Sequence, residues 1–279
     1  MGFDMQMYNM KKTFAGLLVL FSVALSSAHA QNADVIMSPS QLKQAGLDKE
    51  VFLDAFYRHP DGYCFVATDK RIYLLGMNGM TPVLTSDTKM TDFNFANNII
   101  LAVCGDRLCC LDEKGGLSEC AVLPHEDMKV RYGKDNIYLF DTEPKDGKYS
   151  LMMIKGSDAG IVNLFDAPVR VTDVMELGDW LVFSAGNMIA RVSFADRKIV
   201  PIFRLPDENE TILSVIYDED GDDIYFSSDK AVYRTGEKNV ECISDKSGGL
   251  LCDDPFGVVV FDPEKKVIFR LRDTVLRRK

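Results

Sequence analysis

The chain has 279 residues, of which 47% are hydrophobic and 27% charged, with 20 glycines and 10 prolines. This profile is typical of a globular protein, because disordered chains are less apolar and fibrous chains are richer in glycine and proline. The formal net charge of −10 argues against binding to nucleic acid or to an anionic membrane surface, since both depend on clustered lysine and arginine.

The first 30 residues have the features of a secretory signal peptide. Lys11 and Lys12 form a basic start, and the uncharged segment 13–30 is strongly apolar at its centre. The segment ends in Ala28 and Ala30, the small residues of an Ala-x-Ala cleavage site, and no cysteine for lipidation stands beside them. We expect cleavage after Ala30, export to the periplasm or exterior of a bacterial cell and no membrane insertion afterwards. An uncleaved anchor is the alternative, because the run is just long enough to span a bilayer.

Residues 31–50 form a lead segment, and residues 51–279 are expected to form one domain. The short stretch from Pro39 to Gly46 has helical character, with Ser38 as its cap. From residue 51 onward, runs of about four to eight residues rich in Val, Ile, Tyr and Phe are separated by clusters of Asp, Asn and Gly, which is typical of short β-strands joined by turns.

The β-rich part of the chain repeats itself. Segments 63–74 and 224–234 each contain a strand, a turn with an Asp-Lys pair and a second strand ending in an aliphatic residue and Tyr. The aspartates of the two turns, Asp69 and Asp229, are 160 positions apart, which is four steps of 40. Further hairpins fall between and after them, starting near residues 99, 136, 180 and 257.

Two more strands can be read after each of the first five hairpins. Four strands at a period of about 40 residues are the sequence signature of a β-propeller blade. We therefore predict an all-β chain that folds as a single six-bladed β-propeller, with five or seven blades as the alternative. The strand 51–58 has no hairpin of its own, and we predict that it closes the ring as the outer strand of the last blade.

In its strand rhythm the chain resembles the six-bladed propellers of the NHL-repeat and gluconolactonase-like group. The resemblance covers nearly all of the predicted domain and lies in strand spacing alone. The signatures of WD repeats are absent, and the sialidase Asp-box is only echoed at Ser227 and Asp229. The resemblance implies a propeller fold, and gluconolactonase-like members hold a catalytic cation near the channel mouth. No such ligand set maps residue by residue onto this chain.

An acidic residue or an asparagine stands at the first strand of every predicted hairpin. We predict that these residues lie at the mouth of the central channel: Asp61, Asn97, Asp135, Asp179, Asp222 and Asp254. The simpler interpretation is that each side chain caps its own turn. The other is a ring of oxygens that would attract a basic partner segment or a divalent cation such as calcium.

The densest acidic run, 218–223, contains Asp218, Asp220 and Asp222 at alternate positions, as in the first half of an EF-type calcium loop. Its glycine is misplaced for that motif, so we favour a solvated connecting loop over a metal site. We assign no catalytic residue and no cofactor, because only two histidines stand beyond the signal peptide and no Gly-x-Ser-x-Gly motif is present.

The cysteine count is odd, so at least one thiol of a monomer is unpaired. An exported chain can oxidise its cysteines, and three pairings across hairpins are possible where the Cα atoms lie within about 7 Å. The interpretation we favour is that the cysteines are small buried residues. The three pairings are Cys104 with Cys109, Cys110 with Cys120 and Cys242 with Cys252, and Cys64 has no candidate partner.

These features favour a non-catalytic function. We expect an exported propeller that binds protein partners of the cell envelope and acts as a scaffold or accessory subunit. One alternative is a divalent-cation-dependent hydrolase or lactonase with its site at the acidic channel mouth, which a cation held by three or more of the Asp and Asn side chains would favour. The other is a carbohydrate-binding propeller, which exposed aromatic residues on one face would favour.

Overall fold

The computed structural model describes residues 33–58, 63–76, 79–96, 99–111, 117–134, 136–155, 160–218, 222–235, 240–245, 248–254 and 257–271. The predicted signal peptide lies outside these ranges. The described part contains one helix, α1 (Pro39–Gln44), and many short strands. The strands are β1 (Ala33–Met37), β2 (Phe52–Arg58), β3 (Tyr63–Thr68), β4 (Arg71–Gly76), β5 (Gly79–Thr85), β6 (Asp92–Ala96), β7 (Ile99–Cys104), β8 (Arg107–Leu111), β9 (Leu117–Val122), β10 (Lys129–Tyr132), β11 (Asn136–Phe140), β12 (Tyr149–Lys155), β13 (Ile161–Ala167), β14 (Val171–Leu177), β15 (Trp180–Ala185), β16 (Met188–Ser193), β17 (Ile199–Arg204), β18 (Ile212–Asp218), β19 (Asp223–Ser228), β20 (Val232–Thr235), β21 (Val240–Ser244), β22 (Leu250–Asp254), β23 (Gly257–Asp262) and β24 (Val267–Leu271).

The strands form six four-stranded antiparallel sheets, which are the blades of a propeller. Blades 1 to 5 are β2–β5, β6–β9, β10–β13, β14–β17 and β18–β21, and blade 6 combines β22, β23 and β24 with β1. The first strand of each blade contacts the first strands of both neighbouring blades, and β22 contacts β2. The ring is therefore closed, and the predicted single six-bladed β-propeller is confirmed.

The N-terminal strand closes the last blade as predicted, but the strand that does so is β1 rather than segment 51–58. Ala33 of β1 pairs with Leu271 of β24, whereas segment 51–58 contains β2, the innermost strand of blade 1. The strand predicted to be fourth in each blade is therefore the first strand of the next blade. A repeat fixes the spacing of strands but does not show which of the four lies at the channel axis. The sequence therefore does not determine at which strand each blade begins.

Six apolar clusters hold the blades together, one in each seam between neighbours. Because both faces of a blade are covered, central strands are apolar throughout instead of alternating. All six residues of β23 are buried. The seam between blades 6 and 1 includes the ring pair Phe52 and Phe261, with centroids 4.7 Å apart, together with Leu42 of α1.

Helix α1 leads the chain from blade 6 into blade 1. The Ser38 hydroxyl accepts a hydrogen bond from the Gln41 backbone N–H, and the Gln41 side chain accepts one from the Ser38 N–H, which is a complete capping box. Pro39 occupies the first turn, where its missing N–H costs nothing. Within the described ranges, no helix is long and apolar enough to cross a membrane.

One of the three possible cysteine pairings is present in the structure. Cys110 and Cys120 form a disulfide between β8 and β9. The possible pairing of Cys242 with Cys252 across a hairpin is not formed, because β21 and β22 do not pair with each other as the strands of a hairpin. Cys252 lies instead beside Cys64, with 3.2 Å between the two sulfurs. Among the described residues, the cysteines outside a disulfide bond are Cys64, Cys104, Cys109, Cys242 and Cys252.

Candidate functional site: an ion-pair hub in the central channel

The first strands of the blades line the central channel, and five of them place a polar side chain near their start. These residues are Asp54, Asp92, Lys129, Asp173 and Ser214. Asp92 is 1% exposed and the other two aspartates are also buried. A first strand is the inner edge of its sheet, so part of its backbone N–H groups lack a partner within the blade. Buried N–H groups of this kind need acceptors from elsewhere.

Two of the aspartates supply these acceptors to the next blade. Asp92 accepts from the backbone N–H of Val130 at 2.7 Å. Asp173 accepts from the N–H of Val215 at 3.0 Å and from the Ser214 hydroxyl at 3.1 Å. Each carboxylate therefore joins the inner edges of two adjacent blades, which explains why a charged side chain is buried at these positions.

Arg131 of β10 connects three of the other blades at the axis. Its Nη2 lies 2.9 Å from the carboxylate of Asp54, its Nη1 lies 3.4 Å from that of Asp92, and its Nε lies 2.7 Å from that of Asp173. Nη1 also donates to the carbonyl of Val130 at 2.8 Å. The Arg131 side chain is only 12% exposed. Hydrogen bonds between charged groups are stronger than neutral ones, so the Arg131 guanidinium links blade 3 to the carboxylates of blades 1, 2 and 4. We call Arg131, Lys129 and the three aspartates the hub.

The hub contains three carboxylates and two cations. The second cation is Lys129, whose Nζ lies 2.7 Å from Asp92. Burial raises the pKa of Asp54 from 3.8 to about 6, although the charge of Arg131 opposes the shift, and the nearby charges of Asp92 and Asp173 raise it further. Burial lowers the pKa of Arg131, but the three carboxylates outweigh burial and raise it overall. Asp54 is therefore the hub carboxyl whose ionised form is disfavoured by burial and by the neighbouring negative charges.

These residues fit a guanidinium better than a divalent cation. A calcium ion drawn to the same oxygens would be placed beside both Arg131 and Lys129, whose nitrogens already lie at hydrogen-bonding distance. Within the part of the chain that the structure describes, no group of three His, Cys, Asp or Glu side chains is arranged to hold a metal ion.

A cavity of about 400 Å³ extends from the hub along the channel. Its lining includes Arg131, Tyr132, Glu176 and Tyr217. Glu176 is fixed by the Tyr138 hydroxyl, which donates to it at 2.7 Å. The Tyr217 hydroxyl donates to Asp222 at 2.8 Å. The walls therefore combine charged and polar side chains with apolar ones such as Phe95 and Ile216, and Glu176 and Tyr217 already bond to residues outside the lining.

The predicted channel-mouth residues lie elsewhere in the blades than expected. Asp179 and Asp222 are exposed in turns between the first and second strands of blades 4 and 5, and Asp254 ends the first strand of blade 6. The reason is that each hairpin in the sequence consists of the second and third strands of a blade, so the residue before it lies in or next to the turn that follows the first strand. Asp61, Asn97 and Asp135 lie outside the described residues.

The acidic run 218–223 is partly built into blade 5. Asp218 is buried at the end of β18, so it does not lie in an open loop with its neighbours. Asp222 has a φ of 55°, in the left-handed region that aspartate tolerates in turns. Asp220 lies outside the described residues.

A second group of polar residues lies at the ends of the blades opposite the turns between first and second strands, on what we call the connection face. This face carries the connections between blades and the turns between the second and third strands. Glu50 accepts from the hydroxyls of Thr68 at 2.7 Å and Tyr73 at 3.0 Å. Glu210, which is 160 positions later, accepts from the Tyr233 hydroxyl at 2.8 Å. The repeat thus fixes equivalent connections at blades 1 and 5 in the same way.

Sequence reasoning missed the hub entirely. Asp54, Asp92 and Asp173 lie 38 and 81 positions apart, close to one and two steps of the repeat. An aspartate that recurs near the start of a strand at the repeat spacing is a signal that would have identified them. Arg131 gives no such signal, because it occurs once and its partners come from three other blades.

No family model and no curated protein matches the chain. Among solved structures, regucalcin from Agrobacterium tumefaciens, a calcium-binding protein, is 12% identical with a TM-score of 0.68, covering 91% of this chain and 98% of that one. A protein proposed to be a gluconolactonase is 11% identical with a TM-score of 0.63 and coverages of 91% and 96%. A chain of a nidogen/laminin complex is 10% identical with a TM-score of 0.51 and coverages of 70% and 81%. These likenesses show the fold, a six-bladed β-propeller like those of regucalcin and gluconolactonase-like proteins.

Proposed function

We propose that the protein is an exported, non-catalytic propeller that binds a protein partner in the bacterial cell envelope and serves as a rigid scaffold or accessory subunit. The observation that carries this proposal is the contact of Arg131 with Asp54, Asp92 and Asp173. The acidic side chains of the channel hold blades together and are not free to bind a cation or activate water. Binding is therefore assigned to a face of the ring.

The connection face is the surface best suited to a partner. Its connections are held by partly buried hydrogen bonds, including the one of 2.7 Å between His125 and Asp141. A surface that is already ordered loses little conformational entropy when it binds. Val51 and Val169, which lie in the connections before blades 1 and 4, are 55% and 48% exposed and offer apolar contacts of the kind found at interface centres.

Site-specific photo-crosslinking in the native cells tests this proposal. A photoreactive phenylalanine analogue replaces Val51 or Val169, and matched variants carry it at Val162 or Ile199. These two control residues are 39% and 42% exposed and lie on the outer strands of blades 3 and 4. We expect one stoichiometric protein adduct from both connection-face positions and none from the outer strands. Adducts from the outer strands alone, or from none of the four positions, would contradict the proposal.

A cation-dependent hydrolase or lactonase is the second candidate, and the cavity beside the hub favours it. Regucalcin, with a similar fold, is a calcium-binding protein. Calorimetric titration with calcium followed by a screen of lactones distinguishes the two candidates. Saturable calcium binding together with lactone hydrolysis would favour the enzyme. A carbohydrate-binding propeller has less support, because the tryptophan ring of Trp180 is covered by the Arg191 guanidinium at 4.1 Å.

A further inference from the structure

Two cysteine sulfurs meet at the seam where the ring closes. Cys64 lies on β3 of blade 1 and Cys252 on β22 of blade 6, 188 positions later, with 3.2 Å between their sulfurs. Both residues are buried, at 1% and 2% exposure, within the apolar cluster of this seam. A disulfide bond is about 2.05 Å long, so the two sulfurs need to approach by only about 1 Å to form one.

This seam is the one place where the ring depends on strand pairing for its closure. Successive blades from 1 to 6 are joined by the chain itself, whereas blade 6 is tied to blade 1 through β1, which pairs with β24 and continues through α1 into β2. β1 has only five residues, and its register shifts between Val35 and Met37. A covalent bond between blades 1 and 6 would hold the seam closed when β1 detaches.

We propose that Cys64 and Cys252 form a disulfide that covalently closes the propeller when the protein meets a disulfide oxidant. The thiolate of one cysteine attacks the disulfide of the oxidant, such as glutathione disulfide, forming a mixed disulfide and releasing one glutathione thiolate. The second cysteine thiolate attacks the protein sulfur of that mixed disulfide and releases the second glutathione. Two protein thiols are oxidised, one glutathione disulfide is reduced to two glutathione molecules, and the two thiol protons pass to them.

The burial of both sulfurs sets when this reaction takes place. Thiol–disulfide exchange needs access to the sulfur under attack, so the bond forms before the seam closes during folding or during a transient opening of that seam. The disulfide between Cys110 and Cys120 differs, since it joins residues 10 positions apart within blade 2. Closing a longer loop restricts the unfolded chain more, so the seam disulfide is expected to stabilise the fold more. This proposal does not depend on which partner the protein binds.

Peptide mapping and melting curves in a glutathione redox buffer test the proposal on the purified protein. We expect a peptide linked through Cys64 and Cys252 in the oxidised form, and a Tm about 10 °C above that of the fully reduced form. In the oxidised buffer, Cys64→Ala, Cys252→Ala and the double variant should show the same drop in Tm, because each of them removes the seam disulfide. In the control variant, Cys110→Ala with Cys120→Ala, the seam-linked peptide should persist.

Two results would overturn the proposal. One is alkylation of both Cys64 and Cys252 in protein that was refolded to equilibrium in the oxidising buffer and then denatured. The other is a seam-linked peptide without any difference in Tm between the oxidised and reduced forms once the Cys110–Cys120 contribution is subtracted. The mapping uses the unaltered chain, so it remains decisive if a cysteine variant fails to fold.

Discussion

The replacement Asp54→Asn is predicted to stabilise the protein at neutral pH although it removes a residue from a buried ion pair. Asp54 is one of three carboxylates that share the charges of Arg131 and Lys129. Its pKa is raised from 3.8 to about 6, chiefly by burial. A shift of about two pKa units corresponds to roughly 3 kcal/mol. Asparagine is neutral at every pH and so resembles the protonated carboxyl.

The sign of the pH effect follows from the direction of the shift. The native state binds the Asp54 proton more tightly than the unfolded chain does, so the stabilisation is complete below about pH 4 and is lost as the pH rises through 6. The free energy of unfolding of Asp54→Asn, minus that of the unaltered protein, should therefore increase by up to about 3 kcal/mol between pH 4 and pH 7.

Urea unfolding followed by circular dichroism at pH 4 to 8 measures this difference directly. The matched control is Asp173→Asn, because Asp173 accepts from Arg131, Ser214 and Val215 together. Removing that carboxylate breaks a well-bonded buried pair and should cost about 3–5 kcal/mol at neutral pH. If Asp54→Asn is as destabilised as Asp173→Asn and its difference from the unaltered protein does not change with pH, burial does not raise the pKa of Asp54.

Three further predictions concern stability. Arg131→Met leaves three buried carboxylates with one cation and should cost at least about 3–5 kcal/mol in thermal unfolding; a loss below about 1 kcal/mol would show that the hub bonds contribute little. Gly133→Ala should destabilise the fold by over about 2 kcal/mol, because an added Cβ would clash with the Glu176 carboxylate and lie 2.7 Å from the Tyr138 ring. Glu176→Ala should restore part of this loss, and equal losses with and without Glu176 would contradict its share of the clash. Ser38→Ala removes the cap of α1 and should lower the stability of this helix by about 1 kcal/mol. Amide exchange in residues 39–44 should become faster, and unchanged exchange there would contradict a role for the cap.

The fold was predictable because the repeat determines it. Hairpins with the Asp-Lys turn recur at a multiple of 40 positions, and the structure places both examples between the second and third strands of their blades. The sequence did not show in the same way which strand begins each blade. β1 (Ala33–Met37) reads as part of the lead segment, and its role appears only through pairing with β24, more than 230 positions away.

The candidate site was not predictable from turn composition. Aspartate and asparagine before a hairpin are conspicuous in a sequence, but they are also the residues that turns need. Asp92 and Asp173 belong to strands rather than to turns, and they accept hydrogen bonds from the next blade. That function depends on contacts across the ring, and a pattern within one strand does not reveal it.

A double-mutant cycle between Arg131 and Asp173, repeated with and without calcium, tests most directly whether the channel carboxylates hold the ring together. The two side chains meet at 2.7 Å, and contacting residues in one network commonly show interaction energies of about 0.5–3 kcal/mol. We predict a coupling of about 2 kcal/mol between Arg131→Met and Asp173→Asn that millimolar calcium leaves unchanged. Additive effects together with a saturable rise in stability on adding calcium would show instead that the channel is a cation site.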